Sequence, residues 1–165
     1  MASARLVYEF VRGDDGLGCK NILIIGENNV CNSYMCGVIL QGLLKQRHVE
    51  GISVASKGMV VLFSEPVAPL AVSVLAAHDY YMDEFRSSQL TERDVAGADL
   101  IITMTDEQVD RLLKDYPCDA ICMSLGRFLG KELVMPDLSE GSREDYEQGF
   151  LMFEKWMRDV ADRLF

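Results

Sequence analysis

A short apolar run, a polar loop and a helical pattern follow one another near the start of the chain and limit the folds that it can adopt. Residues 22–25 are all apolar, as in a buried strand of a parallel sheet, and Gly26 ends the run before the polar residues 27–29. Asn32 and Ser33 are favoured N-cap types, and apolar residues then recur at helical spacing. The segment therefore predicts a strand, a loop and a helix.

A loop of this kind is suited to binding an anion. It directs backbone N–H groups and the positive end of a helix toward one point, before any side chain contributes. The alternative is an ordinary turn between a strand and a helix, and the pattern by itself leaves both interpretations open.

The loop resembles the catalytic loop of the low-molecular-weight protein tyrosine phosphatases. That loop follows an apolar strand and is usually written C-x-G-N-x-C-R-S-P-M-A-E, whereas this chain reads G-E-N-N-V-C-N-S-Y-M-C-G. Asn29, Cys31, Ser33 and Met35 match the pattern, and the strand before it and the helix after it match in kind.

The resemblance continues in order toward the C-terminus. The matching segments are Ile52 to Gly58, Glu65 to Pro69, Gln89 to Thr91 with Asp94, Ala98 to Thr105, and Met135 to Asp137. It implies a phosphotyrosine protein phosphatase I-like domain over residues 20–165, an α/β three-layer sandwich whose central parallel sheet has about four strands flanked by helices. Residues 1–19 are left as an N-terminal extension.

The same resemblance implies that the catalytic groups are missing. The family's reaction uses a cysteine thiolate at the first loop position, an arginine that holds the phosphoryl oxygens, and an aspartic acid that protonates the leaving group. Gly26 stands at the cysteine position and Asn32 at the arginine position. Asp137 remains as a candidate general acid, or as an ordinary loop carboxylate, and Leu138 replaces the proline that follows it in the family.

The candidate ligand loop is Gly26, Glu27, Asn28, Asn29, Val30, Cys31, Asn32 and Ser33. Without the arginine, and with the Glu27 carboxylate in or beside the loop, we expect a phosphate dianion to bind weakly unless Glu27 points away from it. Cys31 is expected to be a buried, unreactive thiol, with a redox-sensitive thiol as the alternative.

Three functional hypotheses follow from the resemblance. The first is a catalytically inactive relative that binds an unknown protein or small ligand in the remnant cleft and needs no cofactor. The second is a phosphomonoester hydrolase of altered mechanism in which Asp137 acts as acid or base. The third is an assembly module, including a homodimer, that acts through the N-terminal strand.

Composition narrows the partners and the compartment. The 165 residues carry 26 acidic and 16 basic side chains, a formal charge of −10 that disfavours nucleic acid and anionic membranes. No apolar run approaches the roughly 18 residues that cross a bilayer, and the start of the chain does not look like a secretion signal. Five cysteines, an odd number, indicate reduced thiols in the cytoplasm, and two histidines give a metal site little to build on.

Two further segments have more than one interpretation. Residues 6–11 have strand-like content and are followed by a turn-rich stretch, so an added edge strand is the first hypothesis and a packed or disordered tail the alternative. Residues 59–63 are apolar and fall where the family has a loop that lines the substrate cleft. They are expected to continue the second strand or to pack inward, and the alternative is that they receive an apolar or aromatic partner.

Overall fold

A four-stranded parallel sheet forms the centre of the protein. The computed structural model describes residues 18–83 and 85–165, so the predicted N-terminal strand at 6–11 lies outside the described part. The strands are β1 Asn21–Gly26, β2 Ser53–Gly58, β3 Leu100–Thr103 and β4 Ile121–Ser124, in the order β2-β1-β3-β4. All three pairings are parallel, which confirms the predicted sheet.

Six helices flank the sheet in the described part. They are α1 Asn32–Gln46, α2 Pro69–Ala77, α3 Glu92–Gly97, α4 Asp106–Asp115, α5 Leu125–Leu129 and α6 Arg143–Leu164. The apolar and capping patterns predict α1, α2, α4 and α6. The helices α3 and α5 are not predicted from the sequence, because six and five residues are too few to show helical periodicity.

The alternation of side chains along β1 separates two apolar layers. Ile22 and Ile24 face the larger core, which α1, α2, α5 and α6 complete, whereas Leu23 and Ile25 face the smaller core against α3 and α4. Helices therefore cover both faces of the sheet, and the predicted three-layer sandwich is confirmed.

The topology places the loop after β1 at a crevice. The chain leaves β1 for α1 on one face of the sheet, and it leaves the neighbouring strand β3 for α4 on the other face. In open parallel sheets such a divergence leaves a cleft at the carboxyl ends of the strands, where ligands bind. Residues 27–31 lie at this point.

The last helix has the N-terminus and the buried face that its sequence predicts. Ser142 Oγ accepts a hydrogen bond from Asp145 N, and Asp145 accepts one from Ser142 N at 2.8 Å, which is a capping box. The predicted stripe is buried: Tyr146, Phe150, Phe153, Met157, Val160, Ala161 and Leu164. No helix of the described residues is both long and apolar enough to cross a membrane.

The apolar residues after β2 differ from the inward-packing expectation. The strand ends at Gly58, and Met59 is buried, but Leu62 and Phe63 are 83% and 80% exposed. The chain turns away from the sheet here because the Gln89 side chain binds backbone groups that a continuing strand would use. Its Oε1 accepts a hydrogen bond from Val61 N, and its Nε2 donates one to the Met59 carbonyl, both at 2.7 Å.

Candidate functional site

A cleft of about 510 Å³ opens above the loop that joins β1 to α1. Its floor is the candidate loop itself, and its walls come from the segment after β2, the start of α4 and the segment before α6. The lining residues are 26–33, Glu65, Pro66, Ala68, Met104, Thr105, Gln108, 135–139 and Tyr146. The structure thus brings every predicted site residue to one cleft.

Asn29 holds the loop in shape from within. Its backbone adopts a left-handed conformation with φ of 60°, and its side chain is 1% exposed. Its Oδ1 accepts a hydrogen bond from Ser33 Oγ at 3.0 Å, and its Nδ2 donates to the Ser56 carbonyl of β2 at 3.2 Å. Asn29 and Ser33 are therefore scaffold residues of the loop, and both are retained from the family pattern.

Carbonyl groups of the loop are held by neighbouring segments. Met59 N and Val60 N donate to the carbonyls of Gly26 and Glu27, both at 2.9 Å. Farther along, the Val30 carbonyl accepts from Ala68 N at 3.1 Å, and Val30 N donates to Asn28 Oδ1 at 3.3 Å. The loop is thus anchored on two sides of the cleft.

Helix α1 begins one residue earlier than its expected caps. Cys31 is the N-cap residue, and no side chain caps the first turn, so the prediction of Asn32 or Ser33 as the cap is wrong. Both side chains are turned toward other partners, since the Asn32 amide donates to the Pro136 carbonyl and the Ser33 hydroxyl donates to Asn29 Oδ1. Among the described residues, no side chain accepts a hydrogen bond from the first N–H groups of α1.

Gly26 has no room for a side chain in this arrangement. A Cβ atom at this position would lie 2.6 Å from Ser33 Oγ and 2.8 Å from Ser33 Cβ. The Ser33 side chain therefore fills the space into which a residue with a reactive group would project.

Asn32 takes part in the wall of the cleft rather than supplying charge. Its Nδ2 donates to the Pro136 carbonyl at 3.0 Å, which ties the start of α1 to the segment that carries Asp137. Its Oδ1 is buried and has no hydrogen-bond partner within the described residues. A neutral amide with an unmatched acceptor thus occupies the position of the family's arginine.

The Glu27 side chain turns toward α4. Arg111 Nη1 donates to both carboxylate oxygens at 3.1 and 3.0 Å, and Gln108 Nε2 approaches Oε2 at 3.4 Å. The carboxylate remains part of the cleft lining, but its charge is shared with Arg111. This answers the question that the sequence left open about the direction of Glu27.

The Cys31 thiol is kept protonated. Burial is the largest cause and raises the pKa of this thiol above the ordinary value of 9.0. A hydrogen bond with Tyr146, whose Oη lies 3.2 Å from Sγ, acts in the opposite direction and lowers the pKa. The negative charge of Asp137 adds a smaller rise in the pKa. Because only the thiolate is a good nucleophile, Cys31 is a poor one at neutral pH. The cysteine is half-buried, less enclosed than expected.

Asp137 is exposed at the mouth of the cleft and is held as a carboxylate. Hydrogen bonds from Ser139 Oγ at 2.7 Å and from Ser139 N at 3.1 Å lower the pKa of its side chain. Leu138, in place of the family's proline, is buried against Gly149 of α6 and anchors the segment. A general acid needs a bound proton, which a lowered pKa removes at neutral pH.

Sequence reasoning missed four residues of the site: Glu65 as a cleft carboxylate, Gln108 and Arg111 as partners of Glu27, and Tyr146 as the partner of Cys31. One signal was available, because Thr105 and Gln108 have capping-box spacing and do form that cap at the start of α4. No group of three or more histidine, cysteine, aspartate or glutamate side chains within the described residues is arranged as a metal site.

Sequence comparison matches this chain to a known protein family. The family model described as low molecular weight phosphotyrosine protein phosphatase matches residues 21–164. A probable low molecular weight protein-tyrosine-phosphatase, EpsP of Ralstonia nicotianae, is 38% identical over 98 residues, which cover 59% of this chain and only 64% of that protein's length. Low molecular weight protein-tyrosine-phosphatase Wzb of Escherichia coli K12 is 28% identical over 145 residues, covering 88% of this chain and 95% of Wzb.

Solved structures show the same fold. A low molecular weight protein tyrosine phosphatase from T. tengcongensis superposes with a TM-score of 0.81 at 23% identity, over 88% of this chain and 99% of that one. Wzb of Vibrio vulnificus, solved in complex with benzylphosphonate, gives 0.78 at 25% identity, over 89% of this chain and all of that one. With its parallel sheet, its strand-loop-helix cleft and this family match, the chain belongs to the low molecular weight phosphotyrosine protein phosphatase family.

Proposed function

We propose that this chain is a catalytically inactive member of the family, which acts as a binding or regulatory protein through the cleft above residues 26–33. The observation that carries the proposal is the nucleophile position, where Gly26 offers no reactive atom and Ser33 fills the adjacent space. Phosphoryl transfer in this family requires an attacking thiolate, and the loop has none at that point.

The positions of the other two catalytic groups also support the proposal. Asn32 donates to Pro136 and brings no positive charge to balance a phosphoryl group in the transition state. Asp137 is an exposed carboxylate whose pKa lies below the ordinary value of 3.8, so at neutral pH it is ionised, and no group among the described residues holds a proton on it for a leaving group. Each of these changes removes a different requirement of the same phosphoryl-transfer step.

Other thiols do not replace the missing one. Cys31 is the nearest cysteine of the loop, and burial raises its pKa. Cys36 is fully buried inside α1, and its pKa is raised further by the same cause. Neither thiol supplies a thiolate to the cleft at neutral pH.

The retained scaffold is what supports a binding role. The hydrogen bonds of Asn29 to Ser33 and Ser56 keep the loop curved, and Leu138 anchors the opposite wall in the core. A left-handed asparagine and an ordered loop cost free energy to maintain, which favours continued use of the cleft.

The first test is hydrolysis of p-nitrophenyl phosphate by the native chain, the restoring variant Gly26→Cys/Asn32→Arg and the matched variant Asp137→Asn. We expect no native turnover above the buffer rate at high protein concentration. Because a side chain at position 26 meets Ser33, the fold of the restoring variant is checked by circular dichroism and urea unfolding before its rate is measured. Native turnover that survives repurification would overturn the proposal.

A second candidate function is hydrolysis by a different route, with water as the nucleophile. It is favoured by one observation, the exposed Asp137 side chain at the cleft, which is a carboxylate at neutral pH and can accept a proton from water. Native turnover that Asp137→Asn abolishes would select this candidate.

We also propose that the protein works in a reducing compartment such as the cytoplasm. All five cysteines are free. They include Cys118, which precedes β4, and Cys122, which lies in that strand. Thiol titration of protein purified under argon without reductant is expected to give five thiols per chain; fewer would contradict this proposal.

A further inference from the structure

An exposed apolar tip stands beside the cleft. Residues 60–63, here named the apolar finger, expose Leu62 and Phe63 almost fully and Val60 by nearly half. The finger is attached directly to the cleft, since Val60 N donates to the Glu27 carbonyl at 2.9 Å and Glu65 lines the cleft wall. Adjacent large apolar side chains held in water mark a surface that another molecule covers.

Hydrogen bonds from neighbouring side chains hold the backbone of the apolar finger in place. Gln89 Oε1 accepts a hydrogen bond from Val61 N, and Gln89 Nε2 donates one to the Met59 carbonyl, both at 2.7 Å. Arg86 Nη2 donates to the Ser64 carbonyl at 2.6 Å. A loop that is already ordered loses little conformational entropy when a partner covers its side chains, so the finger is suited to binding.

The charge of the cleft is opposite to that of a phosphate site. Three carboxylates line it, from Glu27, Glu65 and Asp137, and none of its described lining residues is lysine, arginine or histidine. Arg111 is paired with Glu27, while Glu65 and Asp137 have no basic partner among the described residues. The surrounding charge therefore repels phosphate groups and attracts a basic group.

The floor of the cleft adds donors and one acceptor that are unmatched. No side chain in the described part of the chain caps the first turn of α1, so its N–H groups suit a neutral carbonyl oxygen. Asn32 Oδ1, in the wall above, is a buried acceptor to which no described residue donates. A peptide backbone carries both carbonyl and N–H groups, whereas a free metal cation or a protonated amine carries no acceptor.

We propose that the cleft and the apolar finger together bind a protein segment in which a lysine or arginine stands next to a large apolar residue. The inference rests on the proposed binding role and names the chemistry of the partner. The basic side chain meets the carboxylates of Glu65 and Asp137, and its apolar neighbour packs against Leu62 and Phe63. The segment's main chain lies over the floor of the cleft.

The test is selection of the full native chain on a bead library of acetylated heptapeptides, each position of which holds any ordinary amino acid or phosphotyrosine. We expect enrichment of lysine or arginine with an adjacent large apolar residue. Enrichment of phosphotyrosine or of acidic residues would overturn the proposal, and so would the absence of any enrichment.

Variants then locate the binding site for the most enriched peptide, measured by fluorescence anisotropy. We expect Leu62→Ser/Phe63→Ser to weaken binding by about tenfold or more and Glu65→Gln/Asp137→Asn by about fivefold, with the second loss shrinking at high salt. Leu151→Ser is the matched control, because Leu151 is an exposed apolar residue of α6, and its affinity should equal that of the native chain. Equal affinity of all variants would overturn the proposed site.

The two proposals fail separately. Native turnover would remove the inactive-member proposal whatever the peptides show. Enrichment of phosphotyrosine without turnover would leave an inactive binding protein and reject the basic partner.

Discussion

The Ser33 side chain occupies the space that a side chain at position 26 would need. We expect Gly26→Ala to lower the free energy of unfolding by about 1–3 kcal/mol, since the added Cβ meets Ser33 Oγ at 2.6 Å and Cβ at 2.8 Å. Urea unfolding gives the measurement. Gly97→Ala is the control, because a Cβ there meets nothing within 4 Å, and its change should stay within about 0.5 kcal/mol or be stabilising. Equal effects of the two substitutions would show that Ser33 yields freely.

Asn29 combines two contributions that a pair of variants separates. Asn29→Gly keeps access to φ of 60° but loses the hydrogen bonds to Ser33 and Ser56, whereas Asn29→Ala loses the hydrogen bonds and adds backbone strain. We expect the free energy of unfolding of the alanine variant to be about 1 kcal/mol lower than that of the glycine variant. Equal stabilities by urea unfolding would contradict a strained left-handed position.

At the scale of the element, helix α6 depends on its first turn. Ser142→Ala removes one half of the capping box and should lower the free energy of unfolding by about 1 kcal/mol at pH 7. Hydrogen bonds from Ser142 lower the pKa of Asp145, so their contribution is present above the ordinary pKa of 3.8 and is lost as pH falls through the lower folded value. The difference in stability between Ser142→Ala and the native chain should therefore be smaller in acid. Thermal unfolding of both proteins at pH 7 and at pH 3 measures this difference.

Element prediction succeeded where the pattern was long enough to repeat. The apolar stripe of α6 is visible in the sequence because burial on one face of a helix imposes a period, and β1 is visible as an unbroken apolar run because both of its faces are buried. The helices α3 and α5 fall below that length. The expectation that residues 59–63 continue β2 is wrong, because apolar content alone does not show that the Gln89 side chain hydrogen-bonds to the backbone of Met59 and Val61.

For the whole molecule, we expect stability to fall in mild alkali. Burial raises the pKa of Cys19 and Cys122 from 9.0 to about 12, so the folded chain keeps protons that the unfolded chain releases. Free energy of unfolding therefore decreases as pH rises above 9, by about 1 kcal/mol per thiol at pH 10. Urea unfolding at pH 8 and pH 10 measures it.

The control for the alkaline effect is Cys19→Ala, which should reduce the difference between the two pH values. The raised pKa of Tyr80, to about 12 through burial and Glu154, acts in the same direction at still higher pH. Equal stability of the native chain at pH 8 and pH 10 would contradict buried, protonated thiols.

Residue identity and local pattern determined the alternation of strands with the longer helices, the buried face of α6, and the replacements at Gly26 and Asn32. These are properties of neighbouring positions, which the chain displays without folding. The tertiary structure decided the rest: Glu27 meets Arg111 84 positions away, Asn32 meets Pro136 104 positions away, and Cys31 meets Tyr146 115 positions away. Such contacts depend on which strand ends the sheet brings to one edge, and no local pattern records that.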